Sequence, residues 1–347
     1  MITKKQKLSV MYFLSRAVFL GVGYSLIFDK AGKDAWISVI LGTLLGLLMI
    51  YPISKILKYK KEKSLKELFK EMKLLGIFIK IFYFAFLIFL LYECIVIMQT
   101  MTTSFFLINS PPLFVGLSGA FLVIMTIKEN DTTLFKVAES LITIAVVTVL
   151  ITVLLLIPYG ETEAFLPLLT TTPKMIFIGA IYFATMSTAP LLLTLDFKDD
   201  GNDLIKMYLF TSAILLIICV LITLVLGPEL ISIYRFPEYM VLKRIKFMDF
   251  VEKIENIISI IWILDAFMIL ATTTQTLKNL LPKKGGKIIS SIILLIITII
   301  TGVVFGGNYI LILETYHSVP IVLGIALIVI LAPIFIYVLL KNRKKGS

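Results

Sequence analysis

Apolar runs of about twenty residues recur along the chain, separated by short polar stretches. A helix needs roughly 20 apolar residues to cross a ~30 Å hydrocarbon core. The pattern predicts ten such spans, at 8–28, 35–57, 75–106, 112–127, 134–157, 175–195, 204–227, 250–277, 287–305 and 318–340. The fourth is short. The third is too long to cross upright at ~1.5 Å per residue, so it should tilt or project beyond the bilayer. The polar gaps leave no room for a soluble domain, and residues 1–347 read as one transmembrane domain. The expected class is an all-α integral membrane protein.

Two spans carry helix-weakening residues near their middles. Gly21-Val22-Gly23 interrupts the first span, and glycine costs an exposed helix interior roughly 1 kcal/mol against alanine. Two glycines this close suggest a broken helix, of the kind tolerated where backbone lines a cavity; close helix packing is the alternative. In the sixth span, Ala184-Thr185-Met186-Ser187-Thr188-Ala189-Pro190 is a run of small and hydroxyl residues closed by proline. Proline removes a backbone hydrogen bond, and the hydroxyls can satisfy freed carbonyls. An ordinary proline kink is the alternative there. The two positions correspond if residues 8–157 and 175–340 are inverted repeats of five spans each. Interrupted segments at matching places in two halves point to a midplane ligand site.

Composition sharpens the class. Apolar residues make up 59% of the chain, and mean hydropathy is +1.02; soluble proteins hold roughly 45–50% apolar residues. The net charge is +11. With the N-terminus placed inside, the inner segments hold roughly three-quarters of the lysines and arginines, which follows the positive-inside rule. Both termini are then cytoplasmic, and the densest cluster, Lys55 to Lys80, faces anionic lipid headgroups. The charge reports orientation, and nucleic-acid binding is not expected. The N-terminal lysines precede a run too long for a signal peptide, so the first span should be retained. Cys94 and Cys219 fall within spans as packing residues, with no metal-type spacing. The lone His317 reads as a surface or packing residue. Residues 158–174 form a threonine-rich outer loop. Residues 228–249 read as an amphipathic segment at the outer interface, or as a docking site for a partner.

Ionisable residues inside spans are expensive and mark functional candidates. Here they are Arg16, Glu93, Glu139, Glu255 and Asp265. Arg16 lies just before the glycine break, where a carboxylate from another helix could pair with it. Glu93 and Asp265 are central in their spans, Asp265 nearly a turn after Trp262. Glu139 and Glu255 lie nearer span ends. No phosphate loop, hydrolytic triad or paired-carboxylate motif is present. An enzyme is not expected, and no cofactor.

Gly21-Val22-Gly23 followed by Ala31-Gly32-Lys33-Asp34-Ala35-Trp36-Ile37-Ser38 resembles the opening of the spore germination permeases, the B subunits of nutrient germinant receptors. Phe250-Val251-Glu252-Lys253-Ile254-Glu255, then Trp262 and Thr272-Thr273-Thr274, is similar to that family's eighth span. The resemblance extends over essentially the whole chain. It implies a LeuT-like fold of the amino acid–polyamine–organocation superfamily, with five-plus-five inverted repeats and helices 1 and 6 broken. It also implies the inner membrane of a bacterial spore, an A subunit and a lipoprotein C subunit as partners, and a nutrient, commonly an amino acid, as ligand. The site residues expected on this reading are Gly21, Val22, Gly23, Tyr24, Glu93, Ala184, Thr185, Ser187, Thr188, Trp262 and Asp265. The glycines would cradle the ligand carboxylate, and Glu93 would face the pathway. The Thr185–Pro190 stretch and Asp265 depart from the family pattern. Asp265 could pair with a ligand amine, bind a cation or neutralise Arg16. Two further readings stand beside the receptor: a cation- or proton-coupled amino-acid transporter, and a structural membrane subunit.

Overall fold

The computed structural model describes residues 2–19, 23–61, 63–128, 132–198, 201–234, 236–245, 254–304 and 316–343. The described residues are helical wherever an apolar span was expected. The first span contains α1 (Lys4–Arg16), a 3-10 turn over Ala17–Phe19, and α2 (Gly23–Ala31). A second 3-10 turn, Gly32–Asp34, leads into α3 (Ala35–Lys60), followed by the short α4 (Leu65–Glu71). Then come α5 (Lys73–Met101), α6 (Pro112–Lys128), α7 (Thr133–Leu156), α8 (Pro173–Thr188) and α9 (Leu204–Ile233). The remaining helices are the short α10 (Pro237–Met240), α11 (Ile254–Leu280), α12 (Gly286–Val304), α13 (Val319–Ala326) and α14 (Ala332–Arg343).

Among the described residues, eight helical stretches are long and apolar enough to cross a membrane. This is an all-α integral membrane protein. One of the eight, Gly23–Lys60, runs 38 residues, or about 57 Å at the α-helical rise. That exceeds one crossing, and the stretch divides at the turn where Gly32 takes φ +50°, a conformation that favours glycine. The helix α6, of 17 residues, is shorter than the eight.

The bundle has a buried centre and a lipid-type rim. In the most apolar window of each stretch, 78% of residues are buried around α8 and 72% in α11, against 11% in α7. The helix α1 is buried on every side from Ser9 to Arg16, which puts it at the centre too. A helix apolar all round belongs in such a core. Small residues let the central elements touch: a Cβ on Gly42 of α3 would stand 2.6 Å from the Ala180 carbonyl oxygen of α8.

One end of the bundle is basic and tightly tied. There Lys60, buried, donates to the Phe197 carbonyl at 2.9 Å, and Ser54 donates to Gly201 O at 2.8 Å. Lys4 pairs with Asp203 at 2.8 Å, and Asn279 Nδ2 donates to Asp196 at 2.6 Å. Gln6 Nε2 donates to Glu139 at 2.9 Å, so that carboxylate serves the helix ends. Tyr337 near the C-terminus donates to Glu71 O at this end as well. Both described ends of the chain therefore lie together. Lys60 departs from the expectation that the Lys55 to Lys80 cluster faces lipid headgroups, because its ammonium donates to a carbonyl inside the protein.

The opposite end is organised by Asp34. Its fully buried carboxylate accepts from Leu169 N at 3.0 Å and Thr171 N at 2.9 Å, while Thr171 Oγ1 donates to Ala31 O at 2.9 Å. Ser38 Oγ donates to Ile176 O at 2.8 Å, and the Trp36 ring meets Phe165 edge-on at 6.5 Å. The AGKDAWIS stretch thus clamps the loop before α8.

The segment after α9 differs from expectation. The helix runs past the predicted end at 227 through a kink at Gly227 and Pro228. Beyond it, Phe236, Tyr239, Val241, Leu242 and Ile245 are buried, so this part packs into the bundle, while Ser232, Ile233, Lys243 and Arg244 stay exposed. The physical reason is aromatic packing: Phe105 stacks on Tyr239 at 4.0 Å and meets Phe236 at 5.1 Å, and Tyr239 lies 5.8 Å from Trp262.

Candidate functional site

The centre of the bundle holds an ion pair. Arg16, in the last turn of α1, places Nη2 2.9 Å from Asp265 Oδ2 in the middle of α11. Their side chains are 6% and 0% exposed. Arg16 Nη1 also donates to the Tyr12 hydroxyl, one turn earlier, and its guanidinium lies 5.1 Å from the Tyr12 ring centre. Two opposite charges this deep are tolerated because each neutralises the other. The carboxylate is incompletely satisfied, however: its contact with Arg16 is an ion contact, and neither oxygen receives a well-aligned hydrogen bond.

Beside the pair is a cavity of about 70 Å³, lined by α1, α2, α7, α9, α10 and α11. A single water needs roughly 10–15 Å³ on this measure, so the space admits a molecule of on the order of five heavy atoms. Arg16, Asp265 and Glu238 supply the charged groups of the lining, Phe19, Tyr24 and Trp262 the aromatic rings. Aliphatic residues of α7, α9 and α11 complete it. Tyr24 is held in place by its hydroxyl, which donates to Leu215 O at 2.9 Å. The short helix α10 reaches the cavity through Glu238, followed by Val241 and Leu242.

Of the expected site residues, Tyr24, Trp262 and Asp265 line this cavity. Gly21 and Val22 lie outside the described residues. Gly23 opens α2, and a Cβ there would stand 2.8 Å from the Phe19 ring. Glu93 is buried on α5 but is not in the lining. Ala184, Thr185, Ser187 and Thr188 are also buried and outside the lining. Their hydroxyls bond back within α8: Thr185 to Ile181 O at 3.0 Å, Ser187 to Phe183 O at 2.8 Å, and Thr188 to Ala184 O at 2.7 Å. Such bonding leaves the helix intact. At Ala189 the α-helix gives way to a 3-10 helix, Ala189–Asp196, that carries Pro190 in its first turn. Thr272, Thr273 and Thr274 likewise donate to carbonyls four residues earlier in α11. Glu255 lies in the first turn of α11, while Cys94 and Cys219 are buried free thiols and His317 is exposed.

Glu238 and the α7 and α9 walls were not among the expected site residues. The signal for Glu238 was a carboxylate amid Phe236, Pro237 and Tyr239, a setting that reads equally well as an amphipathic surface segment. Asp34 was legible as part of a fingerprint but not as a clamp.

The fold and site define a many-helix integral membrane protein with a partly apolar cavity beside a buried ion pair. The particular family follows from comparison: the sequence model described as "Spore germination protein" matches residues 7–310, and this chain belongs to that spore germination permease family. The chain is also 24% identical over 256 residues, 69% of its length and 67% of the relative's, to a protein of Bacillus subtilis (strain 168) named as spore germination protein YfkT.

Proposed function

We propose that this chain is the nutrient-sensing subunit of a spore germinant receptor and that its ligand occupies the cavity beside Arg16 and Asp265. The buried ion pair carries the reading. It joins α1 to α11 at the cavity wall, where a small ligand competing for either charge changes how the two helices are held. A ligand shifts such an equilibrium only by its differential affinity for the two states. Phe19 and Gly23 flank the glycine stretch from either side, so Gly21 and Val22 belong to the segment that connects Phe19 and Tyr24, two lining residues. That supports the first-span break as part of the site, with Trp262 and Asp265 opposite.

The proposal includes a LeuT-like arrangement of ten crossings in two five-helix repeats, with helices 1 and 6 interrupted. The changes of helix type at Ala17 and Ala189 support it. It places both termini in the cytoplasm of the spore inner membrane, because the basic end of the bundle carries both. Glu93 and the small residues of α8 then act as packing around the site or along a pathway. The A subunit and lipoprotein C subunit read the change in the bundle, and the nutrient is an amino acid or a molecule of similar size.

The test is a germination assay in spores lacking the chromosomal copy, complemented with wild type or with Ile218→Trp, which fills the cavity from α9. Wild type should restore the nutrient response, and Ile218→Trp should abolish it at equal abundance in the inner membrane. An unchanged response in Ile218→Trp contradicts a ligand at this site.

A further inference from the structure

The charge arrangement of the cavity narrows the ligand. Arg16 is engaged on two sides, by Tyr12 and by Asp265 Oδ2. Asp265 lines the cavity, and although Oδ2 meets Arg16, neither of its buried carboxylate oxygens receives a well-aligned hydrogen bond. A buried carboxylate oxygen without a donor carries a standing desolvation cost that a ligand donor can remove. The neighbours point to the same kind of ligand. Phe19, Tyr24 and Trp262 present aromatic rings, which attract cations. The other charged lining group, Glu238, is also a carboxylate and makes a further contact of its own; an anion would face both acids. Val149, Val153, Leu215, Ile218, Ile258 and Ile261 give most of the remaining wall an aliphatic surface that suits a short branched hydrocarbon, with Thr148 and Thr152 beside them, the Thr152 hydroxyl donating back to Thr148 O.

We infer that the cavity recognises its ligand through an ammonium group, which donates to the Asp265 carboxylate, and through a small aliphatic body; a carboxylate on the ligand is dispensable. The inference rests on the ligand-site reading above and adds the order of importance of the ligand's groups. It makes Asp265 a selectivity element, a role beyond neutralising Arg16.

Three probes separate the contributions: valine, isobutylamine, which is valine without its carboxylate, and isovalerate, its carbon skeleton without the amine. Each is titrated calorimetrically into the purified full-length protein. Isobutylamine should bind within about tenfold of valine, and isovalerate at least about tenfold more weakly, since a hydrogen bond to a charged group contributes roughly 1.5–3 kcal/mol. Asp265→Asn should remove the preference for the amine, and Asp265→Glu should restore part of it. Equal or tighter binding of isovalerate overturns the ammonium reading but leaves the cavity as a ligand site. If none of the three binds, both fail together. Binding of isobutylamine that persists in Ile218→Trp places the amine elsewhere and also overturns the inference. The wild-type comparison of probes is decisive even if Asp265→Asn does not fold.

Discussion

Removing either member of the Arg16–Asp265 pair alone should destabilise the protein, whereas replacing both with apolar residues should nearly restore it. The charges stand 2.9 Å apart in a site where both side chains are almost fully enclosed. Arg16→Met strands the Asp265 carboxylate, and Asp265→Leu strands the guanidinium with only Tyr12 for company. Breaking a buried pair on one side costs about 3–5 kcal/mol, while exchanging both partners for apolar residues is often neutral. A protein of this size loses roughly 2 °C of midpoint per kcal/mol, so each single variant should melt about 6–10 °C below wild type. The double variant should lie within a few degrees of wild type, giving a coupling of at least about 3 kcal/mol in the double-mutant cycle. The assay is thermal unfolding in one detergent, followed by helix signal at one protein concentration. Additive single effects, with the double variant the least stable of all, would refute the claim that the two charges hold each other. A stable double variant that no longer responds to nutrient would assign the pair to function.

Other consequences can be measured separately. Gly46→Ala should destabilise by about 1–3 kcal/mol, the usual range for overpacking, because the new Cβ would stand 1.8 Å from the buried Tyr208 hydroxyl; a midpoint equal to wild type would show that Tyr208 moves freely. Asp34→Ala should free the 169–171 backbone, since each charge-assisted bond it removes contributes roughly 1.5–3 kcal/mol; proteolysis or amide exchange confined to that loop checks it, and unchanged protection there contradicts the clamp. The exposed Lys63–Glu71 pair lowers the Glu71 carboxyl below its ordinary value, chiefly by the Lys63 hydrogen bond. Its contribution is therefore present above the unfolded carboxyl value of about 4.3 and fades as pH falls through the lower folded value. Glu71→Gln should flatten that part of the stability–pH curve by a small amount, and an unaltered curve would contradict it.

The spans were legible because hydropathy over a bilayer's width is a strong signal, and every expected stretch contains helical residues. The ionisable residues at membrane depth, Arg16 and Asp265, were legible for the same reason: water-free surroundings make each one conspicuous. Their mutual pairing stood in the sequence as one of three roles open to Asp265, and the packing of α1 against α11 realises it at 2.9 Å. Glu93 shows the converse. It was equally conspicuous in sequence, yet α5 buries it outside the cavity lining. The α8 hydroxyls carried an ambiguous message, because serine and threonine stabilise freed carbonyls and intact helices by the same hydrogen bond. The burial of α10 was hidden by its composition, since aromatic and charged residues mixed at this density suit a membrane interface and a plug between helices equally. Only the partners Phe105 and Trp262 decide between them.

A thermal-stability screen of the purified protein against individual amino acids and small amines, run beside Ile218→Trp, probes the Arg16–Asp265 cavity as a small-molecule site. Binding to the folded state raises stability by RT ln(1 + [L]/Kd), about 2.7 kcal/mol at a hundredfold excess over Kd. Wild type should show a selective upward shift that disappears when the cavity is filled. A shift of the same size in Ile218→Trp would contradict it.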